Sequence, residues 1–478
     1  MIKRGIQKIQ FIIPPLLMPK EEAVKRTAPP LGIACLAAVT QNDYSLDVLD
    51  SVIEGFETEF DFHELVKRVG LSYEDIKKRI QAFNPDVVAI SCGGTDQYIT
   101  AHDVAGIAKE AVPGVIVTMG GIYPTTQPGK AMSDPNVDFV SLGEGDETFP
   151  ALLKAIIKGD QNLIPQAIGF RTPDGRTLIN PRESFIEDID SLPMPARKYL
   201  RMDLYGDTPR AYRFGPLRKP HTSIVTSRGC PAKCIFCDAR HMMGRKYRAH
   251  SPGRVLDEIE SLITDYGIRE LAFLDDNLTW DRKRAAAIFD GMVERNFDLK
   301  WMTPNGIALY ALDESIIEKM KAAGCYSVYL AFESGCQEVL SKIVHKPLNI
   351  KKARGFARKF RDAGIETTGM FVIGFPGETL EQIEQTVKFA EEIECDYVSF
   401  SIATPYPGTE MYDICKESGF LSDGFCDDSL VFGFGKGHIR TPDFQPEDVL
   451  RFRKEAWERI NFNRDSDRKK KIEEWLKR

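Results

Sequence analysis

Short apolar runs alternate with helical patterns over the first 150 residues, and the alternation starts again near residue 221. In the first block "KIQFIIPP", "YSLDVLDSV", "DVVAIS", "VIVTMGG" and "FVSLGEG" read as five strands. "LGIACLAAVTQ", "ITAHDVAGIAKEA" and "TFPALLKAIIKG" read as helices among them. Strands this short and apolar are covered on both faces, which a parallel sheet sandwiched by helices provides. The block predicts an α/β, doubly wound, Rossmann-like sheet, a fold that binds ligands at the carboxyl ends of its strands. In the second block "TSIVTS", "ELAFLDD", "KWMTPNG", "SVYLAFES", "TTGMFVIGF" and "YVSFSIATP" are separated by helical segments. Six βα units predict a partial (β/α)6 TIM-like barrel, again with its chemistry at the strand carboxyl ends. The expected divisions are residues 1–155 for the first domain, 156–220 for a linker, 221–420 for the barrel, and 421–478 for a small C-terminal helical region capping the substrate.

The chain has 478 residues, 43% of them hydrophobic, enough for two cores. A formal net charge of −7 argues against a partner held by phosphate contacts, so nucleic acid is not expected. The start is basic, but Pro14 and Pro15 break its apolar stretch, which rules against a signal peptide. No run reaches the roughly 18 apolar residues of a membrane span. A cytoplasmic location is expected, where thiols stay reduced and ten cysteines do not read as a disulfide framework. Seven of the ten are scattered and read as small buried apolar residues.

The strand ends of the first block are rich in glycine. Ser91-Cys92-Gly93-Gly94-Thr95 follows the third strand, Gly120-Gly121 the fourth, and Gly143-Glu144-Gly145 the fifth. Each alone reads as a tight turn. At three successive strand ends they read as a surface that a large flat ligand approaches without meeting a Cβ.

The other three cysteines are Cys230, Cys234 and Cys237, in "TSRGCPAKCIFCDAR" just after the first barrel strand. A structural zinc takes four protein ligands, so His241 or His250 would have to supply one. A [4Fe–4S] cluster held by three thiolates instead leaves one iron open to a substrate or cofactor.

Cys230-x3-Cys234-x-Phe236-Cys237 resembles the signature of the radical S-adenosylmethionine (SAM) superfamily. That resemblance implies a [4Fe–4S] cluster on the three cysteines, SAM on its open iron, and Phe236 against the adenine. "FLDDN" with Asp275, Asp276 and Asn277 resembles the stretch that holds the SAM amino group. "AFESG" with Glu333 and Ser334 resembles the ribose or carboxylate contact, and "FVIGFPGET" with Ile373, Gly374 and Glu378 resembles the adenine-closing motif. Arg245 and Arg248, after the cysteines, could neutralise a SAM carboxylate, but surface arginines are the commoner reading. A doubly wound domain ahead of such a barrel is similar to the cobalamin (B12)-binding subclass, with Ser91, Thr95, Gly120 and Gly121 at the positions that hold the cobalamin tail and Gly143 and Glu144 resembling the last loop of the same pocket. Many cobalamin domains offer cobalt a histidine from an Asp-x-His-x-x-Gly loop. Here "DSVIEG" (Asp50 to Gly55) has Val52 in the histidine place, so base-off cobalamin without a histidine ligand is expected.

The implied activity is methylation of an unactivated carbon. A 5′-deoxyadenosyl radical abstracts a substrate hydrogen and methylcobalamin then supplies the methyl. The implied electron donor is of flavodoxin or ferredoxin type, and the substrate a small molecule, lipid or peptide. Two alternatives stand beside this reading: a B12-dependent cyclase or rearrangement enzyme resembling the anaerobic cyclase of chlorophyll synthesis, and a non-catalytic iron–sulfur or zinc binding module. Phe432, Phe434 and His438 are candidates to line the substrate cavity. The lysine-rich end "DRKKKIEEWLKR" reads as the solvated face of a terminal helix.

Overall fold

Continuous burial along the apolar runs decides the architecture. In β1 (Lys8–Ile13) four consecutive central residues are buried, as a strand covered on both faces requires. The computed structural model describes residues 5–22, 24–94, 97–206, 208, 216–432 and 435–462. Thr95, Phe434 and the lysine-rich end lie outside the described residues. Two compact units emerge: residues 1–211 with 238–244 and 427–434, and residues 212–237 with 245–426 and 435–478.

The first unit is built on a seven-stranded sheet. Its strands are β1, β2 (Ser45–Asp50), β3 (Val87–Cys92), β4 (Ile116–Gly121), β5 (Phe139–Ser141), β6 (Ile168–Arg171) and β7 (Thr177–Ile179), in the order β7-β6-β5-β4-β3-β1-β2. β1 to β5 pair in parallel, and β6 and β7 add an antiparallel hairpin at the edge. The chain order therefore reverses at β1, between β2 and β3, which in a doubly wound sheet marks the ligand crevice. Apolar cores lie on both faces. One centres on Ile90, Val117, Tyr123 and Val140, the other on Ile9, Phe11, Phe149 and Leu152. A small antiparallel sheet of Leu16–Pro19, Val66–Val69 and Glu59–Asp61, absent from the sequence expectation, also belongs to this unit. Strands of three or four residues are too brief to show a period that sequence reading recognises.

The second unit contains six parallel strands in sequential order: β8 (His221–Ile224), β9 (Glu270–Phe273), β10 (Lys300–Ile307), β11 (Cys325–Glu333), β12 (Glu366–Ile373) and β13 (Tyr397–Ile402). This is the partial barrel. Its outer layer is aromatic: Trp301 stacks on Phe289 and meets Phe273 edge-on, while Phe371 stacks on Phe332 and Phe400. Ala272, Met302 and Tyr329, one from each of three adjacent strands, form a separate buried cluster with Met370 packed against it. The helices start where polar residues cap them. Ser251 caps Pro252–Tyr266, and Thr379 with Gln382 forms a complete capping box on Leu380–Glu392. The exposed edge of β13 is covered by the helix Pro446–Phe462, whose Asn461 amide pairs with both backbone groups of Val398 at 3.0 and 2.9 Å. No helix among the described residues is long and apolar enough to cross a membrane.

Candidate active site

The cysteine loop begins at Thr226, where two buried charges fix it. Asp275, just past β9, accepts hydrogen bonds from the Thr226 N–H at 3.1 Å, its hydroxyl at 2.6 Å and the Ser227 hydroxyl at 2.5 Å. Burial raises the Asp275 pKa, while the Ser227 and Thr226 hydrogen bonds and the Arg284 charge oppose that rise. Arg284 donates to the Thr226 carbonyl at 2.7 Å and to the His250 carbonyl at 2.6 Å. Further along, the Ile235 N–H donates to the Val344 carbonyl at 3.1 Å, and the Ile235 carbonyl accepts from Met411 at 3.0 Å. The middle of the loop is thus anchored like a strand residue between two neighbours, with Ile235 buried beneath it.

Cys230, Cys234 and Cys237 are all partly buried. Burial pushes the Cys230 thiol up and the Cys234 thiol up to about 11. Two protonated thiols side by side become thiolates against a bound cation, and this donor set therefore fits an iron–sulfur cluster. Among the described residues no three His, Cys, Asp or Glu side chains already stand in a single-ion arrangement. Asn277 is buried and donates to Cys230 Sγ at 2.9 Å, and its Oδ1 has no hydrogen-bond partner. Phe236 packs at 5.8 Å on Phe375, a ring that is itself wholly buried. Arg245 donates to the Ala232 carbonyl at 2.9 Å, and Arg248 is buried in a short strand pair with Ser227–Arg228, not on the surface.

The remaining strand ends carry charge as well. Glu333, at the end of β11, has φ +64°, a left-handed conformation that costs a non-glycine residue about 1–3 kcal/mol. Its carboxylate pairs at 2.9 Å with Lys346, and both side chains are buried. Burial by itself would lower the Lys346 pKa, but Glu333, Cys234 and Cys230 together raise it. Sequence reasoning missed Lys346. "VHKPLN" carries no periodic signal, and the turn that brings the lysine inward follows a π-helical stretch, Val339–Ile343, whose wide turn no sequence pattern announces. Ser334 exchanges a hydrogen bond with Thr386 at 2.9 Å and accepts one from the Cys336 N–H at 3.1 Å. Past β12, Glu378 accepts from the Gly374 and Phe375 N–H groups at 2.7 and 3.0 Å with one oxygen, and the other has no partner. Burial lifts its pKa to about 7 against those two bonds. Ile373 is wholly buried, and Asp276 is the exposed member of the Asp275–Asp276 pair.

In the first unit the glycines differ in kind. A Cβ on Gly121 (φ +112°) would lie 2.1 Å from the Cys92 carbonyl oxygen, so the neighbouring strand requires glycine there. A Cβ on Gly120 would meet only the Ser141 Cβ at 3.8 Å, leaving the space above open. Gly143 donates to the Thr125 hydroxyl at 2.8 Å, and Glu144 accepts from the Ile186 N–H at 3.3 Å. Ser91 is half-buried. Within β4 the buried Thr118 hydroxyl has no hydrogen-bond partner, and the same holds for the Gln127 amide nitrogen between the short helices Ile122–Thr126 and Pro128–Ala131. Open glycine backbone at the end of β4 fits a large cofactor that approaches the strand end closely. Val52 is buried in Ser51–Glu54, a helix that Asp50 caps. His102 has both ring nitrogens engaged, with Asp134 at 2.6 Å and Tyr123 at 3.0 Å.

Known families match along the same chain. The model of the radical SAM superfamily matches residues 224–390, and that of the B12 binding domain matches residues 22–153. An uncharacterized methyltransferase of Pyrococcus horikoshii is 32% identical, over 87% of this chain and 84% of that protein. Cytidylyl-2-hydroxyethylphosphonate methyltransferase of Streptomyces wedmorensis is 31% identical, over 87% and 83%. The anaerobic magnesium-protoporphyrin IX monomethyl ester cyclase of Rubrivivax gelatinosus is 26% identical, over 85% and 73%. The radical S-adenosylmethionine methyltransferase TsrM of Kitasatospora setae, solved with cobalamin and a [4Fe–4S] cluster, shares the fold with a TM-score of 0.67 at 18% identity, covering 88% of this chain and 76% of that one. The chain belongs to the cobalamin-dependent radical SAM methyltransferase family. Its cofactors are a [4Fe–4S] cluster, SAM and cobalamin.

Proposed function

We propose that this enzyme methylates an unactivated carbon, in the cytoplasm, using base-off cobalamin that no histidine of the chain ligates. The observation that carries the reading is the three-thiol loop at the carboxyl end of β8, pinned by Asp275 and Arg284, in a chain whose other unit carries glycine-lined strand ends. When bound, the cluster with SAM supplies a 5′-deoxyadenosyl radical that takes a substrate hydrogen, and cobalamin supplies the methyl group. Cys230, Cys234 and Cys237 hold the cluster. Phe236, Asp276, Gly374 and Ile373 are assigned to SAM, with Asp276 as the exposed carboxylate for its amino group. Asp275, Ser334 and Glu378 act one step back: each is buried and bonded to the backbone or hydroxyls of the loops it shapes. Asn277 orients Cys230. Ser91, Thr95, Gly120, Gly121, Gly143 and Glu144 are assigned to cobalamin. Buried Val52 and doubly bonded His102 support the absence of a histidine on cobalt.

A second reading, ring formation, is favoured by the resemblance to the Rubrivivax cyclase. One experiment separates them. Anaerobically reconstituted protein receives methyl-labelled SAM, a low-potential reductant and extract fractions. Methylation predicts 5′-deoxyadenosine together with label in a product. Deoxyadenosine with no labelled product in any fraction would leave the cyclase reading, and no deoxyadenosine from an intact cluster would remove both.

A further inference from the structure

We propose that the buried Glu333–Lys346 pair is an electrostatic device of the cysteine loop, in which Lys346 is the fixed positive charge that raises the reduction potential of the cluster. The inference rests on the cluster reading above and adds what sets the potential. Val344, Leu348 and Ile350 are buried, while His345, Pro347 and Asn349 between them are exposed. Lys346 takes the inward place between Val344 and Leu348, where it interrupts the apolar row. It is the one buried lysine among the described residues. An apolar side chain would satisfy packing at that place, and exchanging a buried ion pair for apolar residues is often neutral or stabilising. Stability alone therefore gives no reason for the pair.

The backbone is strained at both members. Glu333 has φ +64°, and His345, directly before Lys346, has φ +60°. Both are left-handed conformations of residues other than glycine, and such strain gathers where function requires a fixed geometry. The same segment is fastened to the cysteine loop. Val344, two residues before Lys346, accepts from the Ile235 N–H at 3.1 Å, and Ile235 directly follows Cys234.

The pair lies with its positive end toward the thiols. Burial raises the Cys234 thiol; Lys346 is the strongest influence against that rise, and Glu333 adds to it more weakly. On Cys230 burial again raises the thiol and Lys346 again opposes it. Glu333 Oε1 holds the Lys346 ammonium in that place at 2.9 Å. An electron added to a cluster adds negative charge. A fixed cation beside it, in a buried setting of low dielectric, favours the reduced state.

The test uses the full chain, reconstituted anaerobically without SAM, with iron and sulfide content measured first. The midpoint potential is read from a mediated redox titration followed by EPR. Lys346→Gln keeps a donor for Glu333 and loses the charge. At the wild-type midpoint it is expected to cut the ratio of reduced to oxidised cluster about tenfold, a downward shift of about 59 mV for a one-electron couple. Lys346→Met with Glu333→Leu removes both charges and keeps apolar packing, and its midpoint should fall by no more than that. Lys346→Arg keeps the charge and should titrate near wild type. A wild-type midpoint in either uncharged variant would overturn the proposal. So would an uncharged variant that folds but takes up no cluster, because the pair would then build the loop and not charge it. Wild-type protein that takes up no iron would instead overturn the cluster reading on which the potential depends.

Discussion

At the carboxyl ends of β3 and β4 the chain presents glycine and small polar groups, whereas past β9, β11 and β12 it presents buried carboxylates, each bonded by the loops around it. Both sets occupy the ends where parallel α/β sheets bind ligands. On the assignments proposed above, the difference is one of how each unit would meet its cofactor. A bulky, preformed macrocycle needs room at the backbone. A small cluster and a charged sulfonium need loops held in one geometry, with charges placed around them.

The largest expected effect tests the barrel side. Cys234→Ala should abolish cluster uptake and deoxyadenosine formation while leaving cobalamin binding by the first unit intact, as measured by iron content and cobalamin absorbance. Loss of cobalamin binding as well would mean that the two strand ends are not separable. Next comes the buried pair. Lys346→Met leaves the Glu333 carboxylate without its partner where both side chains are about nine-tenths buried, so a loss of about 3–5 kcal/mol in denaturant unfolding is expected. Lys346→Met combined with Glu333→Leu should recover most of it. A single-variant cost under about 1 kcal/mol would show a hydrated pair.

Glu378 gives a pH-dependent version of the same comparison. Its folded carboxyl keeps the proton up to about pH 7, against an ordinary value of 4.5. The folded state binds more protons in that window, so the group's contribution is fully present below 4.5 and is lost as pH rises through 7. Glu378→Gln should flatten the fall in stability across this window by about 3 kcal/mol. An unchanged slope would show that Glu378 ionises normally in the fold.

Smallest in energy, and most telling for the first unit, are the paired glycines. Gly121→Ala should cost about 2 kcal/mol or more, because its Cβ meets the Cys92 carbonyl and its φ is positive. Gly120→Ala should change stability by less than about 0.5 kcal/mol yet weaken cobalamin binding in an absorbance titration. Undiminished binding by Gly120→Ala would break the assignment of that strand end to the cofactor.

Much of this could be read before any coordinates. Strings such as "DVVAIS" and "SVYLAFES" are short, apolar and separated by amphipathic segments, so their strand state follows from burial on both faces. The cysteine spacing was equally legible, since loop length alone confines three thiols to one place. The roles of Asp275, Ser334 and Glu378 were not legible. Their neighbours Thr226, Thr386 and Gly374 come from other parts of the sequence or from the turn of the loop itself, and hydrogen-bond partners of that kind are set by packing. Lys346 left no mark in the sequence at all, because a single lysine in a polar turn has no period.

The sequence by itself determined two alternating βα blocks and a loop of three thiols, because periodic burial and chain length act locally and leave few alternatives. Only the tertiary structure decided which of two adjacent aspartates is buried, which of two adjacent glycines is sterically required, and that a lysine thirteen residues past Glu333 turns back to neutralise it. Those outcomes depend on which side chains from distant segments arrive at the same few ångströms, and on the cost of leaving any of them without a partner there.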